Sequence, residues 1–70
     1  MEPLPKFADN LRKHRLRAGI SQEELGYRCG LHRTEVSLLE RAGREPRLGT
    51  IVKLSRALKI KPAALLEGIN

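Results

Sequence analysis

Apolar residues recur along this chain at helical intervals, and no stretch carries a strand signal. Phe7, Leu11, His14 and Ala18 share one stripe, which predicts a first helix from Lys6 or Phe7 to Ala18. Gly19 ends it, and Ile20 turns back toward the core. Ser21, with Glu24 three residues on, has the capping-box spacing and opens a second helix over about Gln22–Cys29. Leu25, Gly26 and Cys29 fall on one face of it. Gly30 tolerates positive φ, so the chain can leave that helix and enter another within a few residues. The third helix, about Arg33–Arg41, turns Val36 and Leu39 inward, and Leu31 plugs the turn before it. Residues 42–47 (AGREPR) hold Gly43, Pro46 and nothing apolar larger than alanine, and read as a loop. A fourth helix, about Leu48–Leu58, faces inward through Leu48, Ile51, Leu54 and Leu58, and Ile60 follows as a core residue. Pro62 suits the first position of a fifth helix running to about Glu67, which Gly68 stops. Pro3 and Pro5 oppose helix and leave residues 1–5 as a short, poorly ordered arm. The pattern predicts an all-α domain of five helices over residues 6–70.

Seventy residues make one small domain, close to the lower limit for an unstapled core. The single cysteine excludes an internal disulfide, and no Cys/His cluster suggests a metal site. Cys29 reads as a small buried hydrophobe with no nearby histidine to make it a nucleophile. No apolar run is long enough to span a membrane and no signal peptide is visible, so the cytoplasm is the expected compartment. Paired carboxylates, a Ser/His/Asp set and a phosphate-binding glycine loop are all missing from the sequence, which argues against an enzyme and against any cofactor or small-molecule ligand.

Charge adds a partner. Fourteen basic against eight acidic residues give +6, a large excess for this length that favours a polyanion. Nine of the basic residues are arginine, which forks onto phosphates and guanine edges. Only Phe7 and Tyr27 are aromatic, so the stacking platforms of single-strand and RNA binders are missing and duplex DNA fits better. The third helix offers the surface: its outward residues Arg33, Thr34, Glu35, Ser37 and Leu38 suit base edges in a major groove. Arg33 can bond guanine O6 and N7, Thr34 and Leu38 can meet a thymine methyl, and Glu35 can accept from a cytosine amine.

Residues 20–40, ISQEELGYRCGLHRTEVSLLE, resemble the helix-turn-helix of the lambda-repressor/Cro-like (XRE) family. That family's pattern is roughly Gln-x-x-Leu-Ala-x-x-x-Gly-Val-Ser-x-x-x-Ile-Ser-x-x-Glu, and here it runs through Gln22, Leu25, Gly26, Gly30, Leu31, His32, Val36, Ser37 and Glu40. The resemblance extends from Phe7 to about Leu66. It implies a lambda-repressor-like DNA-binding domain whose third helix reads bases through the five residues named above. It further implies that Gln22 bonds a backbone phosphate at the start of the second helix, and that the loop carrying Arg44 and Arg47 lies over the sugar-phosphate backbone. Arg41 joins these as a phosphate candidate, or serves only to complement the helix dipole. The family also pairs an arginine of its first helix with the glutamate ending the motif, which here makes Arg15 and Glu40 an architectural ion pair. Three positions depart from the pattern. His14 stands where an apolar residue is usual; His32 replaces a Ser or Thr cap, capping less well but able to donate to a phosphate; and Gly26 replaces alanine, at roughly 1 kcal/mol of helix propensity.

Ala63, Ala64, Leu65, Leu66 and Ile69 are more apolar residues than one short helix can bury. A two-fold dimer contact through Ala63, Leu66 and Ile69 would set two recognition helices roughly 34 Å apart on DNA. Controller proteins of restriction–modification systems, chains of about this size in the resembled family, dimerise through this end. The resemblance therefore implies a transcriptional regulator that binds double-stranded DNA as a homodimer on a palindromic operator. The alternative is an antitoxin or adaptor subunit whose C-terminal apolar patch holds another protein; Size-exclusion mass helps to discriminate between them.

Overall fold

The computed structural model describes residues 2–70 and holds five helices: α1 (Pro3–Arg17), α2 (Gln22–Cys29), α3 (Arg33–Glu40), α4 (Leu48–Leu58) and α5 (Pro62–Leu65). No strand occurs among the described residues. None of the helices is long and apolar enough to cross a membrane.

The arm expected over residues 1–5 needs correction. Pro3 is the first residue of α1 and Pro5 lies in its first turn, while residue 1 is outside the described residues. A proline there gives up an N–H that would have no intrahelical partner anyway, so it starts a helix where it would break one further in. The stripe of α1 is also shifted at its end. Ala18 is the exposed cap, and Arg15 takes the buried place beside Leu11.

Helix α2 begins as its capping residue requires, with the Ser21 hydroxyl accepting the Glu24 N–H at 2.9 Å. Gly30 ends it at φ +73°, and the Leu31 N–H bonds back to the Gly26 carbonyl at 2.8 Å. His32 caps α3 more fully than its side chain suggested: Nδ1 accepts the Thr34 N–H at 3.1 Å. Helix α4 is uncapped by any side chain at Arg47 and ends on Lys59 in the left-handed region. Leu48 is not inward but 76% exposed, because it is the first residue of α4 and the buried seam starts one turn later at Ile51. Helix α5 stops at Leu65, short of Glu67, and a turn through Gly68 follows.

The core is one cluster made by Phe7 and Leu11 of α1, Leu25 and Cys29 of α2, Val36 and Leu39 of α3, Ile51, Leu54 and Leu58 of α4, and Leu65. Each fully buried leucine in it is worth about 1.5–3 kcal/mol of transfer energy. Helix α3 packs on α1 and α2, α4 packs on α2 and α5, and α1 closes onto α5. That last contact has a polar centre. Asn10, 2% exposed, donates from Nδ2 to the carbonyls of Leu65 and Glu67, both at 2.9 Å. It takes up carbonyls that the short α5 leaves without an intrahelical partner, and no buried side-chain N or O among the described residues lacks a partner.

Candidate nucleic-acid interface

Helices α2 and α3 are brought together by the short turn at Gly30, and the closeness is extreme at Gly26. A Cβ there would stand 2.5 Å from the Leu31 carbonyl oxygen, so the turn passes directly over the glycine. The consequence is that both helices open their N-termini into one surface groove. Gln22 and Glu23 line it from α2, and Arg33, Thr34 and Ser37 line it from α3. Two helix N-termini and Arg33 at this opening favour an anion such as phosphate, against the opposing charge of Glu23 in the same lining.

Beneath the groove lies the pair of Arg15 and Glu40. Nε of Arg15 donates to Oε2 of Glu40 at 2.6 Å and NH2 donates to Oε1 at 3.1 Å, a fork on a carboxylate. The side chains are 11% and 3% exposed. The remaining NH1 of Arg15 donates to the Ile20 carbonyl at 2.8 Å, which anchors the segment entering α2. The hydrogen bond to Glu40 raises the Arg15 guanidinium above its ordinary value against the opposing effect of burial. Gln22 joins the same carboxylate, donating from Nε2 to Oε1 at 3.1 Å. Its second amide hydrogen and its carbonyl oxygen are left for the groove.

The residues expected to read bases divide into two groups. Arg33 and Thr34 are exposed and share the groove with half-buried Ser37. Arg41 lies against Ser37, donating from Nε to its hydroxyl at 3.2 Å and to its carbonyl at 3.3 Å. Glu35 faces elsewhere, into a second cleft lined by Arg44, Glu45, Arg47 and Thr50, where NH1 of Arg44 donates to its Oε1 at 2.8 Å. Leu38 is half-buried against the loop: one of its methyls is 3.2 Å from where a Cβ on Gly43 would be. Of the phosphate candidates, Arg47 is exposed at the start of α4 and His32 is exposed at the start of α3. Since His32 Nδ1 accepts, the hydrogen of the neutral ring sits on Nε2, directed away from the cap.

The remaining expected site lies on another face. Leu66, 41% exposed, and half-buried Ile69 line an apolar recess with Pro3, Leu4, Phe7 and Ile51. Ala63 is exposed but does not line that recess. Cys29 is buried, its thiol donates to the Lys53 carbonyl at 3.7 Å, and burial pushes it above the usual thiol range with only partial opposition from Lys53. It stays protonated at neutral pH. Among the described residues, no group of three or more His, Cys, Asp or Glu side chains is placed to hold a metal ion.

Sequence reading missed three of these features. Glu35 and Arg44 are nine residues apart across a loop, Gln22 and Glu40 are eighteen apart, and Thr50 is brought to the cleft only by the packing of α4. No local spacing encodes such pairs. The burial of Asn10 did leave a signal, since it lies three residues after Phe7 and next to Leu11 on the apolar side of α1.

A helix-turn-helix family model matches residues 11–65. The control protein C.BamHI of Bacillus amyloliquefaciens is 42% identical over 62 residues, which make up 87% of this chain and 76% of that protein. The restriction-modification controller protein C.AhdI of Aeromonas hydrophila superposes with a TM-score of 0.87 at 44% identity, over 89% of this chain and 94% of that one. The P22 c2 repressor, whose structure holds a synthetic operator, superposes with a TM-score of 0.81 at 32% identity, over 89% of this chain and 94% of that one.

Proposed function

We propose a function from one premise: this chain belongs to the XRE-type helix-turn-helix family. It is a sequence-specific, double-stranded-DNA-binding transcriptional regulator. It acts as a homodimer on a two-fold symmetric operator, with α3 in the major groove. The observation that carries this reading is the shared groove, in which Gln22 at the start of α2 stands beside Arg33 and Thr34 at the start of α3. Phosphate and base edge are thereby contacted by neighbouring side chains on two fixed helices. The net charge of +6 supplies the attraction to the polyanion. The relatives agree in kind, since C.BamHI and C.AhdI are control proteins and the P22 repressor was solved on operator DNA.

Within this reading Gln22 docks the protein through its free amide hydrogen, Arg33 and Thr34 read bases, and Arg41, Arg47 and His32 line up along the backbone. The recess at Leu66 and Ile69 is the contact with the second copy, and the cytoplasm is the place of action.

Footprinting of genomic fragments retained by the protein, at two salt concentrations, tests this. A short protected site with two-fold symmetry and a steep loss of affinity with salt is expected. Arg33→Ala should relax base preference at one position by about tenfold, while Gln22→Ala should weaken all sites alike. Uniform weak binding without a footprint would refute the reading.

A further inference from the structure

Resting on that reading of α3 as the recognition helix, we propose that Arg44 is a positioning residue for Glu35, and that the two form one net-neutral unit selecting cytosine in the major groove. Arg44 belongs to the loop after α3, where it stands among the arginines available to phosphate. Its guanidinium is committed instead: NH1 donates to Glu35 Oε1 at 2.8 Å. Glu35 is the less exposed partner, with its side chain 26% accessible against 57% for Arg44. It is held in the cleft that it shares with Arg44, Glu45, Arg47 and Thr50, where the two arginines balance the two carboxylates.

A carboxylate on the DNA-facing side of a basic protein is unfavourable by itself, because it meets a wall of phosphates. It has one use there. Cytosine presents an amino donor in the major groove, and an acidic side chain is the acceptor suited to it. The pairing with Arg44 cancels the charge that phosphates would repel and leaves Oε2 of Glu35 without a bond to the protein. The side chain is thus limited in the directions it can take, which is what a base-reading acceptor requires. Exposed ion pairs contribute little to folding, so the effect of breaking this one on DNA binding can be read apart from stability.

The charge bookkeeping gives a test that separates this from a phosphate contact. Selection from a randomised duplex pool, followed by affinity measurements across salt, is made with the full chain and with Arg44→Ala, Arg44→Lys and Glu35→Gln. Arg44→Ala should lower the preference for cytosine at one base position by about tenfold, on top of a general loss of affinity from the unneutralised Glu35 carboxylate, with the melting temperature nearly unchanged. Arg44→Lys should restore most of the preference. Glu35→Gln should move the preference from cytosine toward adenine and should steepen the salt slope by about 1, because the freed Arg44 becomes available to a phosphate. If Arg44→Ala weakens every sequence alike and leaves the base preference intact, Arg44 is a phosphate contact and the proposal is wrong. It is equally wrong if Glu35→Gln leaves base preference intact. Should the unaltered chain select no sequence at all, the reading of α3 fails first and takes this inference with it.

Discussion

Gly26 is the residue at which local propensity and packing disagree. Alanine is the better helix former by about 1 kcal/mol, and the resembled pattern has alanine at this position. Yet the added Cβ would meet the Leu31 carbonyl oxygen at 2.5 Å and come within 3.4 Å of the Arg33 nitrogen, both backbone atoms. Overpacking against backbone costs about 1–3 kcal/mol, which exceeds the propensity gain. Gly26→Ala is therefore expected to lower the thermal midpoint by several degrees, roughly 4–8 °C per kcal/mol for a domain of this size. A raised midpoint would show that the turn can move away freely. The sequence disclosed that small residues meet at this position. It did not disclose how near the turn passes, because that distance is set by the path of residues 30–33 and not by any side chain.

At the scale of elements, α2 and α4 were legible to the residue and α3 to within one, since Ser21, Gly30 and Pro46 mark their limits in ordinary ways. Helix α1 was misjudged at its start, where Pro3 and Pro5 were read as breakers and not as first-turn residues. Leu48 was assigned to the buried face because its spacing to Ile51 is helical, but periodicity says nothing of where a helix first meets its neighbours. The partners of Gln22, Glu35 and Arg44 were out of reach because they depend on where separate elements come to rest. What joins α1 to α3 is the pair that family resemblance put together, Arg15 and Glu40, with Gln22 of α2 on the same carboxylate. Breaking one side strands a charge that is nearly out of water. Arg15→Met or Glu40→Leu alone should each cost about 3–5 kcal/mol, and the double substitution should cost less than either single one. Urea unfolding of the three variants measures this, and simple additivity would mean that the two side chains act independently.

For the molecule as a whole, an excess of positive charge makes stability sensitive to further protonation. His14 contributes to this. Burial, and then the neighbouring charges of Lys13 and Arg17, lower it below its ordinary value of 6.5, while Glu67 opposes them. The folded protein therefore holds this proton less readily than the unfolded chain does. The stability from keeping the ring neutral is complete above pH 6.5 and is lost as the pH falls through the lowered value. The thermal midpoint should drop on moderate acidification, and His14→Gln should make that drop smaller. An unchanged dependence in the variant would place the acid sensitivity on other groups.

Asn10 has a consequence for how the molecule comes into being. On the ribosome, α1 is made early, but the carbonyls that its amide needs belong to Leu65 and Glu67, 55 and 57 residues later. Phe7 and Leu11 likewise wait for Leu65 to complete the cluster they pack in. A nascent chain that has reached the end of α4 holds every residue of the groove between α2 and α3, yet the Asn10 amide still has only water to bond. The closure of α1 onto α5 is thus the last part of the fold that synthesis makes possible, and it depends on residues 65–67.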